Sequence, residues 1–172
     1  MKLNKKGFTL IELLAVIVIL AILVMLAIPA VTRYLTTARQ STYSDNALRA
    51  IEAVRSDVVT AGFTAQGLSG APSRTCSAGT CTYTKAAIDE LLENKFASSS
   101  FGNEYTCFAI VVNQSNNTYT MYMVDAGSNG FAGLTADNIN QSNVGVGKIK
   151  VQGTNSITEE TTYTCPEGYG VS

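Results

Sequence analysis

Glu12 is the acid whose setting most needs a chemical reason. It stands at the head of Leu13–Ile28, a run with no polar side chain. In lipid a carboxylate there costs a few kcal/mol on insertion scales. Phe8 lies four residues earlier and so shares its helix face. Other chemistry is thinly spread. The chain has no His, which removes the commonest general acid–base group and the commonest metal ligand. Its four cysteines are Cys76, Cys81, Cys107 and Cys165. Cys76 and Cys81 form a C-x4-C pair with no second paired motif, a poor zinc pattern. Asp125 to Gly130 faintly matches a calcium loop, but position three is Gly127 and position twelve is Ala136, so the bidentate acid is missing and a plain turn is expected. There is no nucleophile elbow, phosphate loop or dinucleotide turn. No catalytic residues, cofactor or metal are expected.

An element of defined length must hold Glu12. Leu13 to Val31 is apolar but for the break at Pro29, and a helix of about 1.5 Å per residue would let it cross a bilayer core of roughly 30 Å. Lys2, Lys5 and Lys6 would keep the N-terminus cytoplasmic. The apolar stretch exceeds the ~7–15 residues usual in a cleaved secretory signal. A plain anchor would explain length and charge, but not Gly7, Phe8 and Glu12 together.

The segment Lys-Gly-Phe-Thr-Leu-Ile-Glu followed by apolar residues resembles the class III leader of type IV prepilins and pseudopilins. The resemblance implies cleavage after Gly7 by a prepilin peptidase, N-methylation of the new terminus at Phe8, and retention of the apolar segment. It also implies that Glu12 pairs with the Phe8 amine of a neighbouring subunit during assembly. The chemistry agrees, since cleavage creates a cation and an unpaired carboxylate in apolar surroundings is relieved by one. Pro29 removes a helix hydrogen bond and is expected to kink the axis. Relatives often carry a Gly where this chain has Ala21.

Seven residues of the 172 lie before the cut, and their loss takes the formal net charge from −1 to about −4. Residues 30–61 hold four arginines against three acids, whereas residues 62–172 hold five basic and nine acidic side chains. A nucleic-acid surface would be basic, so none is expected. Arginines of one stem are expected to meet acids of another copy's head.

The expected architecture is α+β: a long N-terminal helix, half membrane-spanning and half amphipathic, packed on a small antiparallel sheet in a pilin-like layout. Its parts are a leader (1–7), a transmembrane or filament-core helix (8–31), the amphipathic half (32–61) and a globular head (62–172). Ala47, Leu48, Ile51, Val54, Val58 and Val59 recur at helical spacing and predict the buried face, with Gly62 as the stop. In the head, 62–84 reads as a loop and 85–95 as a short helix capped by Thr84. An antiparallel sheet is expected over about 104–164. Its strands are Glu104–Val112, Thr118–Val124, Val144–Gln152 and, more weakly, Thr161–Thr164. Asp125–Asn143 reads as a surface loop.

An even cysteine count in an exported domain favours disulfides, with three pairings open. Cys76–Cys81 and Cys107–Cys165 are favoured, the second because many pilins close a C-terminal loop this way. The implied function is a structural subunit of a type IV pilus, held in the cell membrane and then polymerised on the surface for adhesion, motility or DNA uptake. A pseudopilin of a secretion or competence system is the alternative, as is a minor or tip pilin acting as an adhesin. Implied partners are further copies in a helical filament, the prepilin peptidase and N-methyltransferase, an assembly platform with its ATPase, and membrane lipid.

Overall fold

The computed structural model describes residues 8–61, 74–93 and 95–171. The leader with Gly7, the Gly62 stop, the 62–73 part of the expected loop and Asn94 lie outside them. The chain divides into two units, 1–38 and 39–172.

Helix α1 (Leu10–Ala61) carries two sequence patterns. In the first unit its side chains are apolar all round from Leu13 to Val31, and large ones from Leu10 (83% exposed) to Leu35 (49%) are exposed. A helix of that kind calls for lipid or other helices around it. Thr32 and Thr36 donate their hydroxyls to the carbonyls of Ile28 and Thr32 at 2.9 and 3.0 Å, which satisfies them without water. The helix continues through Pro29, whose ring leaves the Met25 carbonyl without its usual donor.

From Arg39 onward the same helix is amphipathic. Tyr43, Ala47, Ala50, Ile51, Val54 and Val58 are buried. At 100° per residue they fill an arc of about 100°. Leu48 and Val59 fall well outside that arc and are 37% and 80% exposed. This corrects their expected place in the core. Ala47 and Ala50 let the helix approach the sheet closely. The opposing inner face supplies Tyr83, Phe108, Ile110, Met121, Met123, Phe131 and Leu134.

Among the described residues the sheet has seven strands in sequence order: β1 (Arg74–Ser77), β2 (Thr80–Thr84), β3 (Tyr105–Asn113), β4 (Thr118–Asp125), β5 (Gly130–Thr135), β6 (Ile149–Gln152) and β7 (Ile157–Glu160). All neighbours are antiparallel except β5 and β6, which run parallel. Helix α2 (Lys85–Leu91) lies between β2 and β3. Two 3-10 turns, 136–138 and 141–143, occupy the crossover before β6.

Several expected boundaries change. Residues 74–84 form a hairpin rather than a loop, turning at Ala78 (φ 47°) and Gly79 (φ 80°). Its polar strands bury only alternate side chains, Cys81 and Tyr83 among them. Residues 130–135 form a central strand rather than a surface loop. The register slips between Met121 and Met123, so Phe131 and Leu134 both face inward and hide the strand's alternation. The strand expected over Val144–Gln152 is only Ile149–Gln152, and the last strand is Ile157–Glu160 rather than Thr161–Thr164. Helix α2 stops at Leu91, short of residue 95. Thr84 stands at its N-cap without a side-chain cap bond.

The outer face of the sheet is also covered. Cys107, Val124, Ala132 and Ile149 form a second cluster, packed by Tyr122, Tyr163, Cys165 and Tyr169. The C-terminal segment is tied there by Phe108 N–H donating to Tyr169 O (3.0 Å) and by a bridge between Cys107 and Gly170.

Candidate assembly site

Thr9 and Glu12 make a reciprocal cap at the start of α1. The Thr9 N–H and hydroxyl both donate to Glu12 Oε2 at 2.8 Å, and the Glu12 N–H reaches Thr9 Oγ1 at 3.4 Å. This is the capping-box arrangement, in which a Thr and an acid three residues later satisfy the orphan donors of the first turn. The Thr-x-x-Glu spacing at the head of the apolar run is the sequence signature of this cap. Its consequence is specific. One carboxylate oxygen is spent on the local cap, while Oε1 makes no hydrogen bond among the described residues. Phe8, one residue before Thr9, is 86% exposed. A single glutamate can therefore hold its own helix start and still offer an oxygen to an external cation.

The head is held to α1 by polar contacts that the apolar pattern did not reveal. Tyr43 is fully buried and its hydroxyl donates to Met123 O at 2.9 Å. Burial raises its pKa well above the ordinary tyrosine value. Gly130 (φ 120°) makes room for it, because a Cβ there would sit 2.1 Å from Met123 O and 2.4 Å from Tyr43 Oη. Nearer the end of α1, Asp57 pairs with Arg74 of β1, whose side chain is 1% exposed. The Tyr83 hydroxyl donates to Asp57 Oδ2 at 2.8 Å and accepts from Arg74 Nη1 at 2.9 Å. Burial, reinforced by the bond to Asp57, pushes the Tyr83 pKa up to about 12.

Disulfides join Cys76 to Cys81 across the hairpin and Cys107 to Cys165 across 58 residues. No thiol remains free among the described residues. The Asp125 turn is held together by donors to its carboxylate. Its carboxylate is 2% exposed and accepts from Ser99 Oγ (2.6 Å), Gly127 N (2.8 Å), Asn129 N (3.0 Å), Asn129 Nδ2 (2.9 and 3.1 Å) and Asn103 Nδ2 (3.3 Å). No cluster of three potential metal-ligating side chains exists among the described residues.

Residues 2–28 match the family model described as the prokaryotic N-terminal methylation motif. No curated protein and no solved structure matches the chain. The match spans Gly7, Phe8, Glu12 and Ala21 and stops one residue before Pro29.

Proposed function

We propose that this chain, whose N-terminus is that of a type IV pilin-like prepilin, is the structural subunit of a surface pilus. The carrying observation is the methylation motif at the head of a helix with exposed apolar sides. Cleavage after Gly7 would free the Phe8 amine for methylation. The apolar part of α1 would rest in the cell membrane and then bundle with other copies outside. Pro29 would mark the point where the helix bends or loosens on assembly. The role is structural, and polymerisation is the work done. Prepilin peptidase, an assembly platform and its ATPase would act on the chain.

Glu12 carries the assembly step. With Oε2 on its own Thr9 cap and Oε1 open, it can accept the methylated amine of the adjoining copy in low dielectric, where the ion pair relieves two buried charges at once. Glu12→Gln separates the two duties, since glutamine completes a capping box equally well but has no charge. Mass spectrometry of protein sheared from wild-type cells should find a chain starting at methylated Phe8 in abundance. The Glu12→Gln protein should be cleaved but absent from sheared filaments. A surface chain that still begins at Met1 would defeat the proposal. So would Glu12→Gln filaments at wild-type yield. A cleaved chain that is scarce in sheared material would point instead to a pseudopilin or minor pilin.

A further inference from the structure

We infer that Asn129 is a modification site that opening of the head switches on: it deamidates when the Asp125 turn comes apart, and the product does not fit back. Asn129–Gly130 is the only Asn-Gly pair in the chain. A glycine after asparagine favours ring closure, because no side chain shields its nitrogen. In the intact head both reacting groups are kept from that chemistry. The Gly130 N–H donates to Gly145 O at 3.0 Å, which holds the proton on the nitrogen that would attack. Asn129 is 6% exposed. Its Nδ2 donates to Asp125 Oδ1 and Oδ2 at 2.9 and 3.1 Å, and its Oδ1 accepts from the Gly147 N–H at 2.9 Å. Rotating the amide toward the Gly130 nitrogen breaks these bonds.

Once the turn opens, the Gly130 nitrogen loses its proton and bonds to Asn129 Cγ. The Cγ–Nδ2 bond breaks and ammonia leaves. Water then opens the five-membered imide at either carbonyl, giving aspartate or isoaspartate. Neither product suits the closed turn. Aspartate sets a second carboxylate against Asp125, whose oxygens took both Nδ2 bonds and which is 2% exposed. Two like charges that close, away from water, disfavour each other's ionised form. Isoaspartate lengthens the main chain by one methylene beside Gly130. There the Gly130 N–H and C=O both pair with Gly145, and a Cβ would already meet Met123 O at 2.1 Å. The Asn129 carbonyl also accepts from the Asp125 N–H (3.0 Å) and the buried Tyr43 hydroxyl (3.3 Å), so the damage reaches the fastening of α1. An opening that lasts until the ring closes leaves a permanent mark, and marked copies lose the native head.

The test incubates the detergent-solubilised full chain in one mildly alkaline buffer, with and without urea that unfolds the head, and reads each asparagine by peptide mass spectrometry. Asn155, exposed and followed by Ser156, is the internal reference. Asn129 should convert at least about tenfold faster in urea than in buffer, because only opening releases it. In urea it should also outrun Asn155. Equal Asn129 rates in the two conditions would overturn the inference, as would conversion in urea no faster than at Asn155. Asn129→Asp supplies the aspartate product directly and should lower the urea midpoint or abolish folding. Adding Asp125→Asn exchanges acid and amide, removes the like-charge contact, and should recover part of that loss. An Asn129→Asp midpoint equal to that of the unmodified chain, or a double variant no more stable than the single one, would overturn the claim that the product does not fit.

Discussion

Tyr43 and Gly130 are a coupled pair whose substitution tests how the head is fastened to α1. Tyr43→Phe keeps the buried ring but deletes a hydroxyl that donates to Met123 O at 2.9 Å. The ring's contacts with Phe101, Tyr105 and Phe131, at centroid distances of 5.9 to 6.2 Å, survive the change. The loss is therefore the hydroxyl's hydrogen bonding, to Met123 O and more weakly to Asn129 O at 3.3 Å, about 0.5–1.5 kcal/mol. Gly130→Ala should cost more, at least about 3 kcal/mol, because the added methyl meets Met123 O at 2.1 Å and Tyr43 Oη at 2.4 Å at a φ of 120°. In the double variant the hydroxyl is gone and one of the two collisions goes with it. The combined cost should fall short of the sum by at least about 0.5 kcal/mol. Urea denaturation of the detergent-solubilised full chain, followed by tyrosine fluorescence and far-UV circular dichroism, gives all four corners of the cycle. Strict additivity, or a Tyr43→Phe cost below about 0.5 kcal/mol, would refute the claim that the hydroxyl and the glycine serve one contact.

Asp57→Asn should destabilise the head by about 3–5 kcal/mol, since it removes the charged partner of the Arg74 guanidinium, whose side chain is 1% exposed and which keeps only neutral contacts such as Tyr83 Oη there. Replacing both by apolar residues of similar volume should cost less, as the same denaturation curves would register. Tyr83 and Tyr163 have pKa values raised to about 12, chiefly by burial, so their protection is intact below pH 10 and is lost as pH climbs from 10 through 12. Thermal melts should be flat to about pH 9 and then decline, with Tyr83→Phe reducing the decline; a decline beginning near pH 7 would contradict this. Removing Cys107 and Cys165 together should cost about 2–4 kcal/mol by releasing the C-terminal segment, read as faster proteolysis of residues 161–171 in the intact chain.

The apolar part of α1, the leader resemblance and the amphipathic half of α1 were legible because each is a local pattern. An unbroken apolar run and a spacing of three and four need no partner to be read. Strands β3 and β4 were legible for the same reason, being long and rich in Val, Ile, Tyr and Met. Strand β5 was not, since its two glycines and the slipped register hide a face that becomes evident only against Met121 and Met123. The hairpin at 74–84 escaped because its polar strands gain their order from β3 beside them. The capping box at Thr9 is a local pattern of the same kind, a Thr and a Glu three residues apart.

Composition and order along the chain decided by themselves that a carboxylate sits at the head of an apolar helix and that a mixed helix-and-sheet head follows. Those outcomes depend on residues a few positions apart, where the chain imposes the distance. Only the tertiary structure decided that Tyr43 meets Gly130, that Asp57 finds Arg74, that Asp125 gathers donors from Ser99 and Asn103, and that Leu48 is left in an open groove. Each depends on segments brought together by packing, and no one-dimensional spacing encodes which side of a helix the sheet will take.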